Sequence, residues 1–205
     1  MLESGIEMIG LYTKGDSNVW FGVACSEENI FSTTFGSNQE TMLQNLLRNI
    51  PFDVSFHCSE KPTPLAEHVL DLLKDIYNGK EVSHSFPLAI EHLSNYAKNV
   101  IKAVSLIPVG YVASYGSVAK VAGGSPRAVG RVMAFNPFPL IVPCHRVVCS
   151  DFSLGGYGGG LNVKFEILKR ESRGYTAKRE ISFGNKKLLL FPVEFVLKRA
   201  GKGKC

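Results

Sequence analysis

The sequence predicts an α+β protein with two domains, and three observations point to this class. Strand and helix patterns both occur before residue 80, whereas short helices dominate after it. The formal charge changes sign between the halves: residues 1–90 carry 5 Lys/Arg against 12 Asp/Glu, and residues 91–205 carry 18 against 6. A polar, proline-containing segment near residue 85 is typical of a linker. We therefore predict an N-terminal α+β domain over 1–90, a second domain over 91–175 and a basic extension over 176–205.

The N-terminal domain is predicted to begin with strands. Val19 to Cys25 and Ile30 to Phe35 are rich in β-formers and flank the polar segment Ser26 to Asn29, which is a hairpin signal. An earlier strand is expected from Ile6 to Thr13. These segments predict an antiparallel start to the sheet.

Two helices are predicted to follow these strands. Ser37-Asn38-Gln39-Glu40 has the spacing of a capping box ahead of leucines at helical spacing. Thr63-Pro64 predicts the start of the second helix, and Asn78-Gly79 its end. His57, Cys58, His68 and His84 fit no standard zinc spacing, so we expect no metal site.

The second domain is predicted to contain a helix-turn-helix. A helix is expected from Asn95 to a point before Pro108. Ser117 is expected to cap a short helix that runs to Ala122, and Gly123-Gly124 predicts the turn. Ser125 with Pro126 behind it predicts the N-cap of the next helix, which ends before Asn136-Pro137.

The second helix of this pair presents a basic face. Arg127 and Arg131 are four residues apart and share one side, whereas Val129, Val132 and Met133 form an inward stripe. Arginine pairs at this spacing are usually only solvated, but after a helix-turn-helix pattern in the basic half they favour contact with DNA phosphates or bases.

The remaining composition limits the class of protein. A hydrophobic content of 45% with 20% charged residues is ordinary for a folded chain. No apolar run approaches the roughly 20 residues of a membrane span. Met1 to Gly10 carries Glu3 and Glu7 and no basic segment, so we expect no secretory signal and a cytoplasmic protein, or a nuclear one if eukaryotic. The five cysteines at irregular spacing predict at least one free thiol.

Pro143-Cys144-His145-Arg146 predicts a reactive thiol. Cysteine attacks as the thiolate, and a free pKa of roughly 8.5 leaves only a few per cent ionised at neutral pH. His145 and Arg146 are the nearby groups expected to raise that fraction. Adjacent side chains diverge in a strand or a helix, so His145 needs a bridging water or a tight turn to serve the thiol. Glu171, at the end of a helix that begins at Leu161, is the candidate orienting acid.

The helical arrangement around Glu171 leaves an alternative open. Lys164 falls in the same sector of the helix and is a possible ion-pair partner for Glu171. Glu166 lies on the charged side and is expected to be solvated. The glycines from Gly155 to Gly160 lack the GxxxxGK[ST] arrangement of a phosphate-binding loop.

The motif resembles the active-site region of the O6-alkylguanine-DNA alkyltransferases. The resemblance rests on Pro143 to Val147, Asn136-Pro137 and Ser125 to Gly130, and is dense from about Asn95 to Glu171. It implies a ribonuclease H-like N-terminal domain and a mainly helical winged helix-turn-helix C-terminal domain. It also implies repair by stoichiometric transfer of an alkyl group from O6-alkylguanine, and less efficiently O4-alkylthymine, to Cys144, without cofactor.

The resemblance also implies roles for individual residues. The catalytic set is Cys144, His145, Glu171, Tyr115 and Asn136, with a thiol–water–histidine–glutamate relay and Tyr115 as the proton donor to the leaving guanine. The DNA-binding set is Tyr115, Gly116, Ser117, Arg127, Ala128 and Arg131, with Arg127 filling the space of the flipped nucleotide. The pocket set is Met133, Pro139, Val148, Tyr157, Gly158 and Gly159. Gly158 stands where some relatives have a hydroxyl residue. The implied partner is double-stranded DNA, and the expected state is a monomer.

Three other functions remain open from the residues. An alkylated-base recognition module would lack the cysteine that is present here. A cysteine hydrolase using Cys144, His145 and Glu171 would need an oxyanion hole that the sequence does not supply. A helix-turn-helix regulator with Cys144 as a sensor would need a dimer interface or effector domain.

The extension beyond residue 175 carries part of the basic charge. Residues 172–205 hold 9 basic against 2 acidic residues, so this charge is in part that of a solvated tail. Ile181 to Phe183 and Leu188 to Phe191 are expected to pair as a hairpin around Gly184-Asn185. Lys198 to Lys204 is expected to be a mobile basic end that adds nonspecific DNA affinity.

Overall fold

The computed structural model describes residues 8–50, 55–58, 61–82 and 86–201. These residues form two compact units, each with its own four-stranded sheet. The first unit covers residues up to 75, 82–92 and 137–139, and the second covers 76–81, 93–136 and the residues from 140 onward. The α+β class predicted from the sequence is confirmed.

The N-terminal unit is built on a mixed sheet. Its strands β1 (Ile9–Asp16), β2 (Val19–Cys25) and β3 (Ile30–Gly36) are antiparallel neighbours, and the short β4 (Phe56–Cys58) pairs with β1 in parallel, giving the order β3-β2-β1-β4. The predicted hairpin of β2 and β3 is confirmed. The early strand begins at Ile9 among the described residues and continues to Asp16, three residues beyond its predicted end.

Two helices accompany this sheet, α1 (Gln39–Leu47) and α2 (Pro64–Tyr77). The predicted capping box is wrong in its first residue, because Asn38 is the N-cap and its side chain accepts from the amide of Thr41 at 2.9 Å. The predicted start of α2 is confirmed, since the Thr63 hydroxyl accepts from the amide of Ala66 at 3.2 Å. Leu46 of α1 packs with Ile9 and other buried residues in the core of this unit.

The second unit contains five α-helices and a second sheet. The helices are α3 (Asn95–Ser105), α4 (Tyr115–Ala122), α5 (Pro126–Ala134), α6 (Leu161–Arg170) and α7 (Val193–Gly201). The strands are β5 (Tyr111–Ser114), β6 (Val147–Val148), β7 (Arg179–Phe183) and β8 (Lys186–Pro192), in the order β6-β5-β8-β7. A single turn of 3-10 helix, Cys144–Arg146, directly precedes β6.

Helices α4 and α5 form the predicted helix-turn-helix. Gly123 and Gly124 both have positive φ, which only glycine adopts without strain, and so make the tight turn between them. Ser125 caps α5 through the amide of Ala128, as predicted. The predicted cap of α4 is wrong: the hydroxyl of Ser114, not Ser117, is the acceptor, and it binds the amide of Ser117 at 3.0 Å.

The C-terminal segment differs from the expected separate extension. The predicted hairpin is confirmed as β7 and β8, but β8 also pairs with β5, through Tyr111 with Pro192 and Val112 with Phe191. Val193 and Val196 of α7 are buried against Val112 and Val148. The segment is therefore part of the core of the second unit. Residues 198–201, expected to be mobile, are helical, and 202–205 lie outside the described residues.

Candidate active site

The thiol of Cys144 lies on the one-turn 3-10 helix between a buried approach segment and β6. The amide of Cys144 donates to Val142 O at 2.7 Å, and the amide of Arg146 donates to Pro143 O at 2.8 Å. His145 was expected to need either a bridging water or a tight turn to serve the adjacent thiol, and the structure has a tight turn here. Cys144 is only 7% exposed. Its burial raises the pKa of the thiol, whereas a hydrogen bond from the side chain of Asn136 and the charge of Lys164 lower it.

Asn136 is held beside this turn. Its amide nitrogen Nδ2 donates to Val142 O at 3.0 Å, which is the same carbonyl oxygen that accepts from the Cys144 amide. Asn136 therefore positions the turn as well as the thiol. Its catalytic role stays a prediction.

His145 and Glu171 form a fully buried pair. His145 Nε2 lies 3.0 Å from Glu171 Oε1, and neither side chain is exposed. Because a carboxylate only accepts, Nε2 carries the hydrogen and Nδ1 is left as an acceptor. Nδ1 is buried and has no hydrogen-bond partner among the described residues. Burial lowers the pKa of His145, so the ring is neutral at neutral pH.

Arg146 does not serve the thiol, in contrast to the expectation from the sequence. Its Nε donates to both carboxylate oxygens of Glu171 at 3.1 and 3.0 Å, Nη2 donates to Oε1 at 2.7 Å, and Nη1 donates to Ile107 O at 2.6 Å. Burial alone would raise the pKa of Glu171, but His145 and the guanidinium outweigh it and lower this pKa to about 2. The ion-pair partner of Glu171 is thus Arg146.

Lys164, the ion-pair partner suggested for Glu171 from the sequence, makes different contacts. It is fully buried, and its ammonium group donates to the carbonyl oxygens of Val147 at 2.7 Å and Leu154 at 2.6 Å. The helical pattern put Lys164 in the same sector as Glu171 but did not predict these hydrogen bonds. The accepting residues, Leu154 and Val147, lie 10 and 17 residues away in the chain. Glu166 is exposed, as predicted.

Tyr115, the first residue of α4, lies near α5 and near the loop from Gly155 to Gly160. A Cβ placed on Gly155, which has a φ of +68°, would come within 2.9 Å of the Tyr115 ring, and one on Gly130 of α5 would lie 3.8 Å from it. Only the first of these contacts is a clash, so it is Gly155 that leaves room for the aromatic side chain. Burial raises the pKa of Tyr115, as do the nearby thiols of Cys149 and Cys144, so the phenol keeps its proton at neutral pH.

The helix-turn-helix presents Arg127 and Arg131 to solvent. Both are exposed, whereas Val129 on the opposite side of α5 is completely buried. Val132 and Met133 of the predicted inward stripe are only partly buried. Of the other predicted DNA contacts, Gly116 and Ala128 are partly buried, and the Ser117 hydroxyl lies 2.9 Å from that of Ser114.

The predicted pocket residues lie in separate parts of the chain. Val148 lies in β6 and pairs with Ser114 of β5, and Tyr157 to Gly159 form the loop before α6. A Cβ on Gly158 would meet nothing within 4 Å, so the structure leaves room for a side chain at this position. Pro139 belongs to the first unit, where its carbonyl oxygen accepts from the Thr33 hydroxyl at 2.9 Å.

The remaining features considered from the sequence are metal ligands, free cysteines and membrane-spanning helices. No set of three or more metal-ligating side chains is found in the part of the chain that the structure describes, and His84 lies outside it. Cys25, Cys58, Cys144 and Cys149 are free thiols, which confirms the prediction of at least one free thiol. None of the helices among the described residues is long and apolar enough to cross a membrane.

Comparison with known proteins identifies the same region. Residues 95–173 match the model of the 6-O-methylguanine DNA methyltransferase DNA-binding domain. The methylated-DNA–protein-cysteine methyltransferase of Methanocaldococcus jannaschii is 34% identical over 163 residues, which cover 80% of this chain and 87% of the relative. That of Methanothermobacter thermautotrophicus is 38% identical over 120 residues, 58% of this chain and 68% of the relative.

A solved structure shares the fold. The crystal structure of Mycobacterium tuberculosis OGT in complex with DNA superposes with a TM-score of 0.63 and 27% identity, over 79% of this chain and 92% of that one. The two-domain α/β architecture is therefore common to this chain and to that DNA-bound protein.

Proposed function

The chain belongs to the family of methylated-DNA–protein-cysteine methyltransferases, and we propose that it repairs DNA by moving the alkyl group of O6-alkylguanine onto Cys144. The observation that carries this proposal is the placement of a buried thiol on the same short turn as His145, whose ring is fixed by Glu171. Such a thiol needs a base with a free ring nitrogen, and Nδ1 supplies one.

The proton path follows from the histidine tautomer. Glu171 holds the hydrogen of His145 on Nε2, so Nδ1 accepts the thiol proton through a bridging water. Arg146 keeps Glu171 ionised during this transfer, because its guanidinium group is always charged and donates to both carboxylate oxygens. The result is a thiolate with its proton stored on a neighbouring imidazole.

The alkyl transfer itself is a displacement at carbon. Cys144 Sγ forms a bond to the alkyl carbon while the bond from that carbon to guanine O6 breaks, and the electron pair of that bond stays with the guanine. Tyr115 donates the proton that the leaving base requires, and the thiol proton held on His145 then replaces the proton that Tyr115 has lost. The net change is thiol plus alkylguanine to thioether plus guanine.

The product limits each molecule to one reaction. A thioether offers water no leaving group comparable to the guanine, and no oxidant or reductant takes part. Cys144 therefore stays alkylated, and the protein acts as a stoichiometric transferase rather than a turnover enzyme.

The damaged base must leave the duplex to reach a thiol that is 7% exposed. In this proposal Arg127 at the start of α5 enters the base stack, and Arg131 one turn later contacts phosphates; the exposure of both side chains supports these roles. The backbone of Val148 and of the loop from Tyr157 to Gly159 would bind the edge of the flipped guanine, with Met133 as a further lining residue.

Intact-protein mass spectrometry tests the transfer. Mixing with duplex DNA that carries one O6-methylguanine should add one CH2 unit per protein, saturating at one, and Cys144→Ala should gain nothing. Binding without a mass gain would favour a recognition module, and repeated turnover on an acyl ester would favour a hydrolase. Either result would refute the proposal.

A further inference from the structure

Lys164 is a completely buried lysine whose hydrogen bonds all go to neutral groups. Its ammonium group donates to the carbonyl oxygens of Val147 at 2.7 Å, Leu154 at 2.6 Å and Gly156 at 3.4 Å. An ammonium group has three hydrogens, so these three acceptors use its full donor capacity. The lysine is thus fixed in position by the backbone of β6 and of the glycine loop.

The charge of Lys164 is not cancelled by a carboxylate. The neighbouring buried acid, Glu171, is paired with Arg146, and none of the ion pairs found among the described residues includes Lys164. Burying an unpaired cation is unfavourable, because carbonyl dipoles replace its hydration only in part. Burial accordingly lowers the pKa of Lys164 to about 8, a value at which the group is still mostly protonated at neutral pH.

The thiol of Cys144 is a group that can cancel this charge, because Lys164 Nζ binds the carbonyl oxygen of Val147 at 2.7 Å, and Val147 directly follows the one-turn helix that carries Cys144. Ionisation of Cys144 raises the pKa of Lys164, as does ionisation of Cys149, and the charge of Lys164 lowers the pKa of Cys144 in return. The other ionisable groups around the thiol are Tyr115, Tyr157, Cys149 and His145. The first three carry no positive charge in either protonation state, and burial keeps His145 neutral until it accepts the thiol proton.

We propose that Lys164 is a positioning residue for the alkyl transfer: its buried ammonium group stabilises the thiolate of Cys144 and holds the glycine loop against β6. This inference rests on the proposed function, since it assigns the charge that the reacting thiolate requires. The loop part follows from Leu154 and Gly156, whose carbonyl oxygens it binds. The Tyr157 ring centroid, in the loop that would receive the guanine, lies 5.8 Å from the same nitrogen.

The test removes the charge but keeps hydrogen-bond donors. Lys164→Gln replaces the ammonium group with an amide, Lys164→Arg retains a cation, and Lys169→Gln removes an exposed lysine from the same helix as a matched control. The readout is the rate of iodoacetamide labelling at Cys144, measured by peptide mapping across the pH range in which thiols titrate. This reagent reports the thiolate without DNA.

A charge role predicts a specific change in the pH profile. In Lys164→Gln the profile should move to higher pH, and labelling at neutral pH should fall by about tenfold or more, the factor of one pKa unit. Labelling should recover at high pH. Lys164→Arg should retain most of the wild-type profile, and Lys169→Gln all of it. A merely structural lysine would change thermal stability and leave the profile in place, which would overturn the proposal.

A second measurement needs no change at Lys164. The pKa of its ammonium group, followed by NMR of the Lys164 Cε, should be lower in Cys144→Ala than in the wild type, since the anion that raises it is removed. An unchanged pKa would refute the coupling. If the wild type gains no alkyl group from DNA but both effects appear, the proposed function fails while the thiolate–lysine pair stands.

Discussion

Replacing Glu171 by Gln keeps the volume of the side chain and removes the negative charge of the carboxylate that accepts hydrogen bonds from Arg146 and His145. Glu171 is completely buried and accepts from Arg146 Nε, Arg146 Nη2 and His145 Nε2. Removing one partner of a buried ion pair costs about 3–5 kcal/mol, because the other charge stays buried without a counter-ion. The lowering of its pKa from 4.5 to about 2 gives a consistent figure of about 3 kcal/mol.

The assay must follow the second unit. Trp20 is the only tryptophan of the chain and lies in the N-terminal unit, so its fluorescence reports that unit. Urea unfolding followed by circular dichroism of the helices includes the second unit, and Glu171→Gln should lower its free energy of unfolding by about 3 kcal/mol. Glu166→Gln, an exposed change on α6, should stay within about 0.5 kcal/mol of wild type.

A loss smaller than about 1 kcal/mol in Glu171→Gln would refute this reasoning. It would mean that Arg146 relaxes into solvent when its partner is neutral, and that the pair orients His145 without stabilising the fold. The mass assay would then separate the two roles, since orientation alone still predicts slower alkyl transfer.

Three further predictions concern pH, a helix cap and the DNA-facing helix. Because the folded-state pKa of Glu171 is lowered, its stabilisation is complete above about pH 4.5 and disappears as the pH falls toward 2; the difference in unfolding free energy between wild type and Glu171→Gln should shrink over that range in urea titrations. Ser114→Ala should destabilise the second unit by about 1 kcal/mol in the same assay through loss of the α4 cap, and Ser117→Ala by less. Arg131→Ala should weaken DNA binding and reduce the slope of log K against log salt by about 0.9 in fluorescence anisotropy titrations, the change for one lost phosphate contact, while transfer from free O6-benzylguanine base stays unchanged.

The sequence was sufficient where structure depends on residues close in the chain. The β2–β3 hairpin, the Ser125 cap of α5 and the glycine turn before it all follow from local propensities, and the structure has each of them. The cap of α4 was misplaced because Ser114 and Ser117 are both suitable, and the choice depends on where β5 ends.

Long-range contacts account for what was missed at the active site. Arg146 was expected beside the thiol, but Glu171 lies 25 residues on, and only the fold brings the two together. Lys164 likewise reaches the backbone of Val147 and Leu154, and no spacing rule predicts a side chain that binds carbonyl oxygens of other segments. The pairing of β8 with β5 is of the same kind.

Strand β5 has neighbours on both sides, parallel β6 on one and antiparallel β8 on the other. The match to the family's DNA-binding domain ends at Arg173, whereas β8 begins at Lys186. A chain cut at the end of that match would lose β8 and leave that edge of β5 bare, and such strand edges pair with other chains. An isolated second unit that keeps this edge of β5 covered must therefore extend past Arg173 and include β8.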